Sequence, residues 1–356
     1  MTQHDLIESV TRDITRRRFL AVSSAAALGL ACAPAWAVTA EKKAASVIKR
    51  WRTLGRTGFE VSDISMGCGR IADSDVVRYA YDNGVNLFDT AESYGNGDSE
   101  KKIGEAMEHL EREKIFIVTK LDFDGDPDRQ NLIERFNKSL ERLQSPYADA
   151  LYAHGIADVD LVEYKPFLEA CDQLKQEGKL KHIGISSHGP RGDEPDAMDT
   201  VLIKAAEAGH YDVMLLSYGF LNADEGERVL KACKDKNIGT TIMKSATGMM
   251  EMPVYDPENP SEQVQEWFEY LEGQGSTREE AEERIKKYLE REHDNFAEAV
   301  AGSQAFIEKY GIKTQDELEL KSFQWVLGNP DAHTICPSMP TFDALDRLLP
   351  LSGTQL

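Results

Sequence analysis

The sequence predicts an α/β fold, a closed (β/α)8 TIM barrel, on three observations. From residue 61 onward, apolar strand-like runs alternate with amphipathic helical stretches with little interruption, which is the pattern of a parallel sheet. Eight such runs can be counted, the number that closes a barrel. Beyond the N-terminal segment the chain supplies roughly 300 residues, within the usual size of that fold.

The elements follow in order. The stretch RWRTLGRTGFEVS reads as a hairpin ahead of the barrel, turning at Arg56-Thr57-Gly58. The strand-like runs are Val61–Met66, Val85–Phe88, Ile115–Thr119, Ala148–Ala153, His182–Ile185, Asp212–Leu216, Ile238–Met243 and Thr334–Cys336. Between them lie stretches such as DRQNLIERFNKSLERL and DEGERVLKACKDKN, several ending in the Gly or Asn of a helix C-cap. Residues 255–310 break the rhythm: highly charged and helix-prone, they read as a helical pair inserted before strand eight. TQDELELKSFQWVLGNP then resumes as the helix preceding that strand.

Charge narrows the range of partners. With 41 Lys+Arg against 62 Asp+Glu and a net charge of −21, nonspecific nucleic-acid binding and an anionic membrane surface are disfavoured. No run after residue 40 is long and apolar enough to span a bilayer, so no stable membrane insertion is expected after processing.

The first 37 residues read separately, as a cleaved export signal. Arg16, Arg17 and Arg18 precede a short apolar stretch from Ala21 to Ala31, and small residues stand at Ala35 and Ala37, the order of charged, apolar and cleavage-site regions. Thr15-Arg16-Arg17-Arg18-Phe19-Leu20 resembles the twin-arginine signal of bacteria, which implies the twin-arginine export machinery as partner and a periplasmic or extracytoplasmic location. Cleavage is expected after Ala37, leaving residues 38–51 as a linker and residues 52–356 as the barrel domain. Of the four cysteines then remaining, Cys68, Cys171, Cys233 and Cys336, no two are spaced for a metal cluster, and a buried free thiol is the default for each. Cys68 and Cys336 fall near the ends of the first and last strands, which are neighbours in a closed barrel.

One motif argues for a different fold. Gly67, Gly69 and Ala72 match G-x-G-x-x-A after the first strand, with Asp89 about twenty residues on, as in a dinucleotide-binding Rossmann unit. That pattern is weak and leaves later residues unexplained. Polar residues instead end consecutive apolar strands: Asp89 after strand two with Tyr94 in its loop, Lys120 at the end of strand three, and His154 at the end of strand four. In a β/α barrel those ends share one rim, where chemistry sits.

From about Arg52 to Leu349 the chain resembles an aldo-keto reductase. The resemblance rests on RTLGRTGFEVSDISMG, NLFDTAESYGNGDSEKKIGEAM, IFIVTKL, LYAHG, KHIGISSHG and QWVLGNP. It implies a catalytic tetrad of Asp89, Tyr94, Lys120 and His154 and a nicotinamide cofactor, NADP or NAD. The substrate implied is a small carbonyl compound or its alcohol. Reduction of a carbonyl needs a hydride and a proton. A neighbouring Lys120 ammonium favours the Tyr94 phenolate and so makes Tyr94 a better acid, Asp89 holds the lysine, and His154 orients the substrate oxygen.

The cofactor positions implied by the resemblance depart from the family's pattern. Ser186-Ser187 stands where Ser-Asn is usual after strand five, and Leu215 replaces a Gln on strand six. Lys244, beside Ser245, takes the place of an aromatic ring on strand seven. Ser338 and Thr341 follow strand eight, with acids at Asp343 and Asp346 and Arg347 the only cation there. The tetrad favours a working oxidoreductase. The altered cofactor contacts favour the alternative, a nucleotide-binding or interaction protein on the same barrel with vestigial chemistry.

Overall fold

A computed structural model describes residues 47–190, 195–273 and 275–356; the proposed export signal lies outside the described residues. The described chain forms two compact units, Val47–Pro253 with Leu289–Leu356, and Val254–Tyr288.

The first unit is the barrel. An antiparallel hairpin, β1 (Trp51–Thr53) and β2 (Glu60–Ser62), turns through Gly55–Thr57 and is closed by a left-handed Gly58, overlapping the expected Arg56-Thr57-Gly58 turn. Eight parallel strands follow: β3 (Met66–Gly67), β4 (Leu87–Asp89), β5 (Phe116–Leu121), β6 (Ala148–Ala153), β7 (Leu180–Ser187), β8 (Val213–Ser217), β9 (Gly239–Met243) and β10 (Thr334–Ile335). They pair in chain order, and single bridges from Ile64 to Ile335 and from Gly67 to Ser338 join the last strand to the first. The amides of Ser65 and Gly67 donate to Ile335 (2.8 Å) and Pro337 (2.9 Å) across that seam.

Helices α1 (Ser74–Asp82), α2 (Asp98–Ala106), α3 (Arg129–Leu143), α4 (Lys165–Gln176), α5 (Met198–Ala208) and α6 (Ala223–Asp235) connect the strands. Two of them, α1 and α3, start on a capping side chain, with Asp73 and Asp128 accepting from first-turn amides. Two apolar layers result. Residues such as Val77, Ile103, Phe136, Leu174 and Val229 pack between sheet and helices. Inside the barrel, Leu87, Phe116, Val118, Ala150, Tyr152, Val213 and Leu215 meet Leu54 and Val61 of the hairpin. Gly55 is held at φ +49, and a Cβ there would stand 2.3 Å from the Gly239 nitrogen, so only glycine lets the hairpin approach β9 this closely.

Two expectations are corrected. The run Val61–Met66 is not one strand: it splits between β2 and β3 at Asp63. That buried carboxylate accepts from Ser352 Oγ (2.7 Å) and the Gly353 amide (2.8 Å), and meeting those partners bends the chain. The charged insertion also holds three helices rather than a pair: α7 (Glu262–Gly273), α8 (Arg278–Arg291) and α9 (His293–Tyr310). Thr277 and Glu280 form a reciprocal cap at the start of α8, and Glu292 leaves helical backbone before α9. Within the second unit, Trp267 packs edge-on against Tyr288 at 5.1 Å, and the Arg278 guanidinium lies 3.5 Å over Phe268. Helix α10 (Gln315–Leu327), capped by Thr314, precedes β10 as expected, and α11 (Phe342–Leu348) follows it. Cys68, Cys171, Cys233 and Cys336 are all buried free thiols.

At the opposite end of the barrel from the strands' C-termini, His333 accepts from the Thr240 amide (3.1 Å). Burial, and then the charge of Arg52, lowers its pKa from 6.5 to about 4. The ring is therefore neutral when folded, while the unfolded chain takes up a proton near pH 6.5. Its stabilising contribution is complete above that pH and is lost as pH falls toward 4. Between pH 7 and 4.5 the wild type should lose about 2 kcal/mol more than His333→Gln, measured by urea unfolding. Parallel losses in the two proteins would refute this.

Candidate active site

The C-terminal ends of β4, β5 and β6 bring four side chains together. Asp89 is the last residue of β4, Lys120 lies one short of the end of β5, and His154 follows β6. In the sheet Asp89 is level with Val118, and Lys120 with Tyr152. Tyr94 opens a tight turn after β4 that passes through Gly95, Asn96 and Gly97, all at positive φ. Gly97 is required twice over: its φ is +85, and a Cβ would lie 2.6 Å from the Arg142 side chain. Arg142 in turn donates to the wholly buried Glu100 (2.6 Å), which accepts from Thr119 Oγ1 (2.5 Å). The turn that presents Tyr94 is thus fastened to the neighbouring strand and helix.

Lys120 is fully buried. Its ammonium pairs with Asp89 Oδ1, donates to the Thr90 carbonyl (2.8 Å) and reaches the Tyr94 hydroxyl at 3.4 Å. The three donors of an ammonium therefore have three acceptors. Tyr94 and His154 meet edge to face, ring centroids 5.7 Å apart. Burial alone would lower the pKa of Lys120, but Asp89 and then Tyr94 outweigh it and raise the pKa above its ordinary value. For Asp89 burial dominates and lifts the carboxyl's pKa, with Lys120 opposing; its Oδ2 is buried without a hydrogen-bond partner among the described residues. Tyr94 is also lifted above the ordinary phenol value by burial, against the pull of Lys120. The expected lowering by the lysine is present as an opposing influence, and desolvation exceeds it in the free protein.

The remaining sequence-derived positions ring the same end of the sheet. Ser186 and Ser187 are fully buried, and both hydroxyls serve the backbone: Ser186 Oγ accepts from the Gly155 amide (2.8 Å) and Ser187 Oγ from Gly189 (3.3 Å). Gly155 follows His154, so Ser186 supports the loop that carries the histidine. Lys244 is exposed and sits at φ +54, and among the described residues it makes no ion pair and the buried Ser245 Oγ has no hydrogen-bond partner. Ser338 is exposed; Thr341 caps α11, accepting from the Ala344 amide (3.3 Å). Arg347 is tied to Asp316 and Glu319.

Sequence reading missed two features here. Ser217, ending β8, has a buried hydroxyl without a hydrogen-bond partner among the described residues; its place at the end of an apolar run was the available signal. Arg135 binds Glu92 and Asp122 across three elements, and nothing local announces that pairing. The Gly67–Gly69–Ala72 motif belongs to the first barrel strand and its turn, and Asp89, which a Rossmann unit would turn toward a ribose, faces Lys120 as the tetrad reading expects.

The sequence profile of the aldo/keto reductase family matches residues 70–314. L-galactose dehydrogenase of Arabidopsis thaliana is 32% identical over 210 residues, covering 53% of this chain and 62% of that protein. An aldo-keto reductase of Bacillus subtilis is 28% identical over 214 residues, covering 55% and 61%. The chain therefore spans less than two thirds of the length of these curated relatives. Among solved structures, the holo form of an aldo-keto reductase from Bacillus halodurans aligns with a TM-score of 0.60 at 20% identity, covering 86% of this chain and 92% of that one. An aldo/keto reductase from Klebsiella pneumoniae, in complex with NADP and acetate, aligns with a TM-score of 0.55 at 19% identity, covering 87% and 92%. At those identities the structural likeness speaks for the fold, and the profile match over more than half of the sequence decides the affiliation: this chain belongs to the aldo/keto reductase family.

Proposed function

We propose that the protein reduces a small aldehyde or ketone, or oxidises the corresponding alcohol, with a nicotinamide cofactor and with Tyr94 as the proton donor. The observation that carries this reading is the buried Lys120 ammonium, fixed by Asp89 and 3.4 Å from the Tyr94 hydroxyl. The partnerless buried hydroxyls of Ser217 and Ser245 are suited to the amide and hydroxyl groups of such a cofactor, since a buried polar atom is costly until it is paired. Ser217, Ser245 and Lys244 are the residues we assign to holding it. A reduced nicotinamide held by these residues would supply the hydride that carbonyl reduction needs.

The chain's own residues supply the rest. Tyr94 gives its proton to the carbonyl oxygen as that atom gains charge, which yields the alcohol. Lys120 stabilises the phenolate left behind, and Asp89 keeps Lys120 in place. His154, edge-on to Tyr94, orients the oxygen toward the hydroxyl. For alcohol oxidation the same residues act in reverse, with Tyr94 as base.

The cofactor's charge can be argued from Arg347. A phosphate-binding site in this fold is commonly built from the loops after strands seven and eight and a short extra helix. There Arg347 is already paired with two carboxylates, and Asp343 stands exposed. After strand eight an additional 2′-phosphate would meet acid rather than free cation, with Lys244, unpaired among the described residues, lying after strand seven. NADH should therefore serve at least as well as NADPH. A panel of small carbonyls assayed with each, following nicotinamide absorbance, tests both statements. A kcat/KM more than about tenfold in favour of NADPH, some 1.4 kcal/mol, would overturn the second.

One observation favours the binding-module alternative: the hydroxyls of Ser186 and Ser187 are taken up by backbone amides. Saturable nucleotide binding with no turnover across the panel would establish that alternative and displace the reductase.

A further inference from the structure

We infer that Arg135 is a positioning residue for the proton donor, an inference that rests on the role proposed for Tyr94. Arg135 lies on α3, outside the strand ends. Its guanidinium grips Glu92, with Nε at 2.9 and 3.2 Å from the two carboxylate oxygens and one terminal nitrogen on Oε1. That terminal nitrogen also reaches Asp122, at 3.1 Å from both the backbone carbonyl and Oδ1. Glu92 is two residues before Tyr94, and Asp122 is two residues after Lys120. The Glu92 amide donates to the Lys120 carbonyl at 3.3 Å. One planar fork therefore spans the loop that carries the donor and the strand end that carries its cation. Lysine, with one point of charge, cannot reproduce that span.

The partners are partly buried: side-chain exposure is 20% for Arg135, 17% for Glu92 and 27% for Asp122. A network with that shielding and with bidentate geometry holds its members in place more firmly than an exposed pair. It acts on Tyr94 in two ways. It fixes the hydroxyl against the ammonium, where a displacement near 1 Å costs about 10²-fold in rate. It also neutralises two carboxylates, one two residues before Tyr94 and one two residues after Lys120. The charged and titratable groups around the phenol are Lys120 from β5, Asp89 from β4, His154 after β6 and the Cys336 thiol after β10, and Glu92 and Asp122 stand two residues from Tyr94 and from Lys120 along the chain. Without Arg135 the balance at the phenol moves toward negative charge, which keeps the proton on it to higher pH.

The test uses the full-length protein, with carbonyl reduction followed across pH. Arg135→Gln should lower kcat by about tenfold or more, leave the cofactor KM within about twofold, and move the alkaline limb of the kcat profile upward by about half a pH unit. Arg135→Lys keeps the charge and loses the fork, so it should keep the limb and still lose about threefold in kcat; it carries the test alone if Arg135→Gln does not fold. A purely structural ion pair predicts a lower melting temperature with kcat and its alkaline limb unchanged, and that result would overturn the inference. Tyr94→Phe, measured alongside, separates the two levels. If it is inactive while both Arg135 variants match wild type, only the positioning role fails. If it retains full activity, the donor assignment fails and the positioning role with it.

Discussion

Tyr94→Phe should lower kcat for carbonyl reduction by at least ~10²-fold, the usual scale of a lost general acid, with cofactor affinity nearly unchanged. The substitution removes one oxygen. The ring that meets His154 edge to face is retained, and Lys120 keeps Asp89 and the Thr90 carbonyl while losing its third acceptor, so the fold should persist with only a modest drop in melting temperature. A selective loss of rate then reports on the proton and not on the fold. The direction of the pH dependence follows from the raised phenol pKa. Tyr94 carries its proton at neutral pH, so reduction should be flat there and decline only in the alkaline range. Alcohol oxidation needs the deprotonated form and should rise with pH over that same range. Near-normal reduction by Tyr94→Phe, or matching pH dependence in the two directions, would end the assignment of Tyr94 as donor.

What was legible in the sequence, and what was not, divides along chain separation. The barrel could be read because each strand and helix declares itself locally, by apolar runs, capping residues and periodicity. Asp89, Lys120 and His154 stood out because a polar side chain at the end of an apolar strand needs a partner or a task. The split at Asp63 was illegible, since the groups that hold that carboxylate, Ser352 Oγ and the Gly353 amide, lie about 290 residues away in sequence. The break before α9 was hidden because charged, helix-favouring residues continue through Arg291, Glu292 and His293 without a glycine or proline. The Glu92–Arg135 pairing joins residues 43 apart, and an exposed-looking arginine on an amphipathic helix gives no local hint of it. Ser186 illustrates a subtler case: the position was visible, but whether its hydroxyl faces a ligand or a backbone amide depends on where Gly155 lies.

Lys120→Met should show a second large effect, on stability as well as on rate. The lysine is wholly buried and Asp89 is 4% exposed, so the pair sits where a lone carboxylate is poorly solvated. Removing one partner of a buried ion pair typically costs 3–5 kcal/mol, because the other charge is left uncompensated. Asp89, already lifted by burial and now without the ammonium that opposed it, should escape part of that cost by taking up a proton. The sign follows. A carboxyl whose folded pKa lies above its unfolded value destabilises the fold increasingly as pH rises past the unfolded value and up to the folded one. The variant should therefore be closest to wild type in stability near pH 4 and furthest from it at neutral pH, as read by urea unfolding at both. Adding Asp89→Asn removes the stranded charge, and the double variant should recover about 2 kcal/mol or more at neutral pH. It should not recover activity, since Tyr94 would still lack its neighbouring cation, and kcat should stay at least ~10²-fold below wild type. Recovery of stability without recovery of rate is the result that assigns Lys120 to the chemistry and Asp89 to holding it. A single Lys120→Met variant with unchanged stability and turnover would remove the buried pair from both accounts.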